Sequence, residues 1–216
     1  MKRFFFHYAR LSSVNSFREL AKTRRTIRRF RQEPLDRELL VELVDVARHA
    51  PSANNRQPLR YLLVTDPELV AGVFPHTAWA GLIRPRRNPA PDQRPVAWIV
   101  VLVDSKVRDS WWERDVGAAV HAILLAAWER GVGTAWLGAV DREGLRATLG
   151  VPERYIVADV VALGYPAEEP LAEDLAADVE VDDDSAVRYF LDDDDRLHVP
   201  KRPLAHVLFE NRPPPA

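Results

Sequence analysis

Five arginines, Arg24, Arg25, Arg28, Arg29 and Arg31, stand within eight residues, with Thr26 among them. Like charges at that density repel, so something usually offsets them. Guanidinium forks match phosphate oxygens in a bidentate way, which makes the cluster a candidate phosphate site. Spacing alone leaves two alternatives, a solvated basic face and a nucleic-acid contact. The net charge of −2 and the lack of a helix-turn-helix pattern weigh against nucleic acid. A second constellation is Pro51-Ser52-Ala53-Asn54-Asn55-Arg56-Gln57-Pro58. Its composition is that of a turn, where Ser and Asn commonly satisfy backbone groups. The same hydroxyl and carboxamides, bracketed by prolines, also suit the polar edge of a heteroaromatic ring. The third is Gly131-Val132-Gly133-Thr134-Ala135-Trp136-Leu137-Gly138, whose glycines permit close backbone approach to a ligand. A dinucleotide-binding turn would follow a strand and open a helix; this one follows a helix and opens a strand, so that reading is rejected.

Other chemistries are absent from the chain. With no cysteine there is no disulfide, catalytic thiolate, thiolate zinc site or iron–sulfur cluster. Any redox function must therefore borrow a cofactor held non-covalently. His7, His49, His76, His121, His198 and His206 have no metal-ligand spacing, so no metal is expected. His121 lies in an apolar helical pattern and is expected to be a hydrogen-bonded core residue. No serine sits in a Gly-x-Ser-x-Gly elbow.

These groups need a scaffold, and 216 residues with 47% apolar content are enough for one well-buried domain. Ser16-Phe17-Arg18-Glu19 has the capping-box pattern, so a short helix starts there. A second helix begins at Asp36, with Leu39, Leu40, Leu43, Val44 and Ala47 at helical spacing, and ends before Pro51. A strand is expected at 61–65 and a helix opened by Asp66-Pro67. Residues 75–95 have loop composition, a candidate lid carrying His76, Trp79, Arg84, Arg86 and Arg87. Residues 96–103 (VAWIVVLV) lack alternation and read as a strand covered on both faces. Asp115 to Arg130 is a helix apolar nearly all round, buried centrally or against a second subunit, and Gly131 stops it. A strand at 134–137, a helix from Asp141 and a strand at 156–163 complete the core. The acidic runs 182–184 and 192–195 read as solvated turns. Strands and helices in this order give an α+β or mixed-sheet layered fold.

The longest apolar runs are too short to span a bilayer. Phe4 to Phe6, after Lys2 and Arg3, falls short of a signal-peptide core. The chain is accordingly read as cytoplasmic, with no membrane or nucleic-acid partner. Residues 1–14 are set apart as an N-terminal extension without assigned structure, poor order being the simplest expectation, and 15–216 as a single domain.

From about Asn15 to Glu210 the ordered motifs RRTIRRF, PSANNRQPL, DVGAAVHAILLAAWERGVGTAWLG, ALGYP and VPKRPL together resemble the FMN-dependent nitroreductase family. The resemblance implies an α+β layered fold, a central, mostly antiparallel sheet flanked by helices, with one FMN at a homodimer interface. It implies that Arg24 binds the FMN phosphate together with Lys201 or Arg202. Arg25 and Thr26 would line the ribityl chain, and Arg28 would stand near flavin N1 and the C2 carbonyl. Pro51, Ser52, Ala53 and Asn55 would come from the other subunit, with Gln57 bracing their turn. Leu137 and Gly138 would offer a backbone amide to flavin N5, and no side chain is implied as an indispensable general acid. Thr26 stands where the motif commonly has serine and Leu59 where it commonly has tryptophan. The implied activity is hydride transfer from NAD(P)H through flavin N5 to an electron-poor acceptor such as a nitroaromatic or quinone. The alternatives are a specialised flavoenzyme of the same fold (a dehalogenase, an ene-type reductase or a flavin-fragmenting enzyme) and a non-enzymatic FMN-binding protein.

Overall fold

The computed structural model describes residues 16–81, 83, 88–108, 110–176, 178–179 and 185–212. The expectations for residues 1–14, Arg84, Arg86, Arg87 and the run 182–184 lie outside the described residues.

The local start signals operate as the sequence predicts. In α1 (Phe17–Thr23) Ser16 and Glu19 form the reciprocal capping box. Asp36 occupies the cap position of α2 (Arg37–Ala47), although its side chain makes no capping bond. Asp66 accepts the amides of Glu68 and Leu69 to open α3 (Pro67–Val73). Asp141 does the same for Gly144 at the start of α5 (Arg142–Leu149). Gly131, at φ 72°, ends α4 (Glu113–Glu129) in the left-handed region where a Cβ is penalised.

Four strands form one antiparallel sheet in the order β1-β2-β4-β3, with β1 at Leu59–Val64, β2 at Ala97–Asp104, β3 at Gly133–Leu137 and β4 at Tyr155–Gly164. Every residue of β2 is buried, because helices cover both of its faces. Ile99, Val101 and Val103 pack with Leu40 and Leu43 of α2 and with Val120 and Ile123 of α4. Trp98 and Val100 point the other way, toward Val73 of α3, Leu145 of α5 and the Ile27–Phe30 segment. The molecule is thus three layers with a core on each side of the sheet.

One expectation fails here. His121 is exposed: the stripe of Val116, Val120, Ile123 and Ala127 faces the sheet, and His121 sits on the outward face of α4. The run 192–195 is a turn, as expected, but the tail around it also holds strands that the sequence reading did not assign. Strands β5 (Leu171–Asp174), β6 (Phe190–Leu191) and β7 (Leu197–Lys201) make a second sheet in the order β5-β7-β6. They are too short to show a periodicity, which hid them from a pattern-based reading.

This small sheet is clamped by one histidine. His198 of β7 places Nδ1 2.8 Å from Glu173 of β5 and Nε2 2.9 Å from Asp192 beyond β6. Phe190 stacks on the imidazole at 4.9 Å. The hydrogen bonds that His198 donates to Asp192 and Glu173 hold its pKa above the ordinary 6.5. The clamp therefore contributes its full stability below about pH 6.5 and loses it as pH rises through the raised value. His198→Gln is expected to lower the melting temperature at pH 6 and to converge on the parent at pH 9. Melts across that range check this; a pH-independent difference would contradict it.

Candidate functional site

The arginine-rich segment leaves α1 and runs along the free edge of β3. Thr26 forms an isolated parallel bridge with Thr134, and the Ile27 amide donates to the Thr134 carbonyl at 2.9 Å. Gly133 makes this approach possible, since a Cβ there would stand 2.9 Å from the Ile27 side chain. The close approach expected of this glycine is thus to the chain itself rather than to a ligand. Past Ile27 the segment leaves β3: Phe30 bridges Pro166 just beyond β4, and its side chain lies over Gly164, the strand partner of Gly133.

Arg24, Arg25 and Lys201 form a cationic cradle. Burial lowers the pKa of the Arg24 guanidinium, and the adjacent Arg25 charge lowers it further. Lys201, carried in by β7, is lowered by burial and then by the charges of Arg25 and Arg24. Such mutual repulsion between partly desolvated cations is what an absent anion would relieve. The Nε atoms of Arg24 and Arg25 are buried with no hydrogen-bond partner among the described residues. The remaining donors of Arg25 turn back onto the Arg24 and Lys22 carbonyls. Arg202 follows Lys201 and is half-buried. These residues fit a phosphate: several donors, a half-buried setting beside an exposed lysine, and unspent positive charge.

At the other end of the segment Glu168 accepts both the Arg28 and the Arg29 amide. Burial raises the Glu168 carboxyl above its usual range, against the pull of these amides and of the Arg29 and Arg28 charges. Arg29 also donates to Asp195 at 2.6 Å, so its charge is spent within the protein. Arg28 instead lies against the Tyr189 ring, 5.1 Å from its centroid. At the end of β3, Gly138 is exposed. Arg142 holds the Gly138 carbonyl at 3.3 Å, and the neighbouring Trp136 indole donates to Asp159 at 2.7 Å.

The Pro51–Pro58 turn sits elsewhere. It leads into β1, at the sheet edge opposite β3, so about three strand spacings, roughly 14 Å, separate the two within one chain. Asp115, in the first turn of α4 and 3% exposed, organises the turn. Its carboxylate accepts the Ser52 hydroxyl at 2.9 Å and the Ala53 amide at 3.0 Å. The Gln57 amide donates to Ser52, and its carboxamide donates to Asn55, so it braces the turn. Asn54, Asn55 and Gln57 all have positive φ, a conformation that non-glycine residues adopt at some cost. Leu59 lines a cleft of about 180 Å³ behind this turn, with Pro51, Pro58, Tyr61 and Ala119.

The sequence reading missed Asp115, Glu168, Tyr189 and Trp136. An acidic residue opening the most apolar helix was a visible signal for Asp115. The other three carried none.

An antiparallel sheet between two helical layers, with a cationic segment along its free edge, is the fold of the nitroreductase-like proteins. A nitroreductase from Desulfovibrio desulfuricans, provisionally named and solved with FMN, superposes with a TM-score of 0.66 at 24% identity, covering 94% of this chain and all of that one (100%). The nitroreductase family model matches residues 21–165, well over half of the sequence. The chain belongs to the nitroreductase family. A provisionally named NADH dehydrogenase/NAD(P)H nitroreductase of Methanothermobacter thermautotrophicus is 33% identical over 163 residues, 73% of this chain and 81% of that protein. A relative of the same name from Archaeoglobus fulgidus is 36% identical over 154 residues, covering 68% of this chain and 83% of its own. No helix among the described residues is long and apolar enough to cross a membrane.

Proposed function

We propose that this chain is an FMN-dependent oxidoreductase that draws on NAD(P)H and reduces an electron-poor small molecule such as a nitroaromatic or a quinone. The observation that carries the reading is the cradle of Arg24, Arg25 and Lys201, whose buried Nε atoms on Arg24 and Arg25 want an anion. Arg24 takes the phosphate, with Lys201 or Arg202. Arg25 and Thr26 flank the ribityl chain along the edge of β3. Arg28, two residues beyond Thr26, meets the polar end of the ring, where positive charge favours electron uptake. Leu137 and Gly138 present backbone to the ring at the point where the strand ends.

Bound FMN would supply the hydride exchange, a step that protein side chains do not perform. The protein's part is to bind, orient and electrostatically bias the ring. Because the turn at Pro51, Ser52, Ala53, Asn55 and Gln57 is far from Arg24 within one chain, it serves the flavin of a second copy. The outward face of α4 suits that contact, since Gly117, Ala118 and Ala122 are small enough for close approach beside His121 and Leu125. Leu204, Val207, Leu208 and Phe209 are exposed and add apolar surface for the same homodimer.

The test is the visible spectrum of the purified protein, before and after anaerobic NADH or NADPH. Flavin bands that bleach with either nucleotide are the expected result. A colourless protein that also fails to bind added FMN overturns the reading. Sedimentation of the FMN-loaded protein as a monomer overturns the assignment of the 51–58 turn to a second copy.

A further inference from the structure

The tail beyond residue 165 lies outside the part of the chain that the family model matches, yet several of its residues contact the arginine segment. Glu168 takes the amides of Arg28 and Arg29, Asp195 takes the Arg29 side chain, and Tyr189 lies against Arg28. The adjacent arginines are treated oppositely. Arg29 is paired with Asp195 at 2.6 Å, with Glu168 3.9 Å away. Arg28 has no carboxylate within ion-pair distance of its guanidinium among the described residues. Its neighbour is instead an aromatic face, which attracts a cation without neutralising it and removes it from water. Burial is the largest influence on Arg28 and lowers its pKa, with the Glu168 charge opposing it.

We propose that Tyr189 is a positioning residue that holds Arg28 as an unneutralised, water-shielded cation toward the ring end of the flavin site, and so raises the reduction potential of the bound flavin. This rests on the placement of Arg28 beside the flavin ring given above. A charge acts more strongly across a low-dielectric gap than through water, so the covering ring increases the field that Arg28 exerts on a ligand. Pairing Arg28 with a carboxylate, as Arg29 is paired, would cancel that field. The cradle at Arg24, Arg25 and Lys201 is separate, so FMN affinity and FMN potential are under the control of different residues.

The experiment measures the two-electron midpoint potential of the FMN-loaded dimer by equilibration with a reference dye, together with FMN retained per chain. The set is Tyr189→Ala, Tyr189→Leu, Tyr189→Phe and Arg28→Gln. Tyr189→Ala is expected to keep its FMN but to shift the oxidised-to-reduced ratio at fixed ambient potential threefold to tenfold toward oxidised, about 15–30 mV. Tyr189→Leu keeps bulk without the π face, and so retains the effect should the alanine variant disturb the tail. It is expected to move in the same direction, and Tyr189→Phe to match the parent. Arg28→Gln is expected to shift the ratio further than any of them. If Arg28→Gln lowers the potential while the alanine and leucine variants do not, the role of Tyr189 is wrong and that of Arg28 stands. If Arg28→Gln leaves the potential unchanged, the placement of Arg28 falls and this inference with it.

Discussion

Arg24→Ala is expected to purify without flavin colour and to bind added FMN about 100-fold more weakly than the parent. The magnitude follows from removing one partner of a desolvated charge pair, about 2–5 kcal/mol, at about 1.4 kcal/mol per tenfold in affinity. The fold is expected to survive. Arg24 is repelled by Arg25 and shares the cradle with Lys201, so deleting it relieves repulsion in the FMN-free protein. The melting temperature without FMN should be unchanged or slightly higher, while the stabilisation gained on adding FMN largely disappears. Absorbance titration and melts with and without FMN check both halves. Stoichiometric retention of FMN would remove the phosphate assignment.

Asp115→Ala is expected to be the most destabilising single change near the site. Its buried carboxylate holds the Ser52 hydroxyl and the Ala53 amide, and hydrogen bonds to a charged group are worth about 1.5–3 kcal/mol. It also stands in the first turn of α4, where a negative charge is favourable. Ser52 is half-buried and regains some water once released, so a loss of about 3 kcal/mol is the expected total. For a chain of this size that corresponds to a fall of about 6–12 °C in melting temperature. Asp115→Asn keeps one acceptor oxygen and is expected to lose about half as much. On the proposed assembly, in which this turn covers the flavin of a second copy, FMN retention in the dimer should fall with stability in the same order. An unchanged melting temperature in Asp115→Ala would mean that the strained 54–57 turn is held by something else.

Much of the architecture was legible from residue order, and for identifiable reasons. The box at Ser16 and Glu19, the caps at Asp66 and Asp141 and the stop at Gly131 each act within four residues of their own position. The unbroken apolar run of β2 announced its two-sided burial. The glycines at 131 and 133 were both visible, and only the purpose of Gly133 was misread. One ends a helix, and the other admits Ile27 rather than a ligand. His121 was misplaced for a related reason. On a helix apolar nearly all round, periodicity does not say which face meets the sheet.

The sequence by itself determined the elements of the main sheet and its helices, most of their caps, the absence of thiol chemistry and the motifs that carry the resemblance. These depend on backbone hydrogen bonding and side-chain volume over a few neighbouring residues. Only the tertiary structure decided how the arginines differ from one another. Glu168 reaches Arg28 across 140 positions, Asp195 meets Arg29 across 166, and Asp115 meets Ser52 across 63. Whether a guanidinium is paired, solvated or left as a buried charge depends on which distant groups exclude water from it. That exclusion is set by packing, and no spacing in the chain records it.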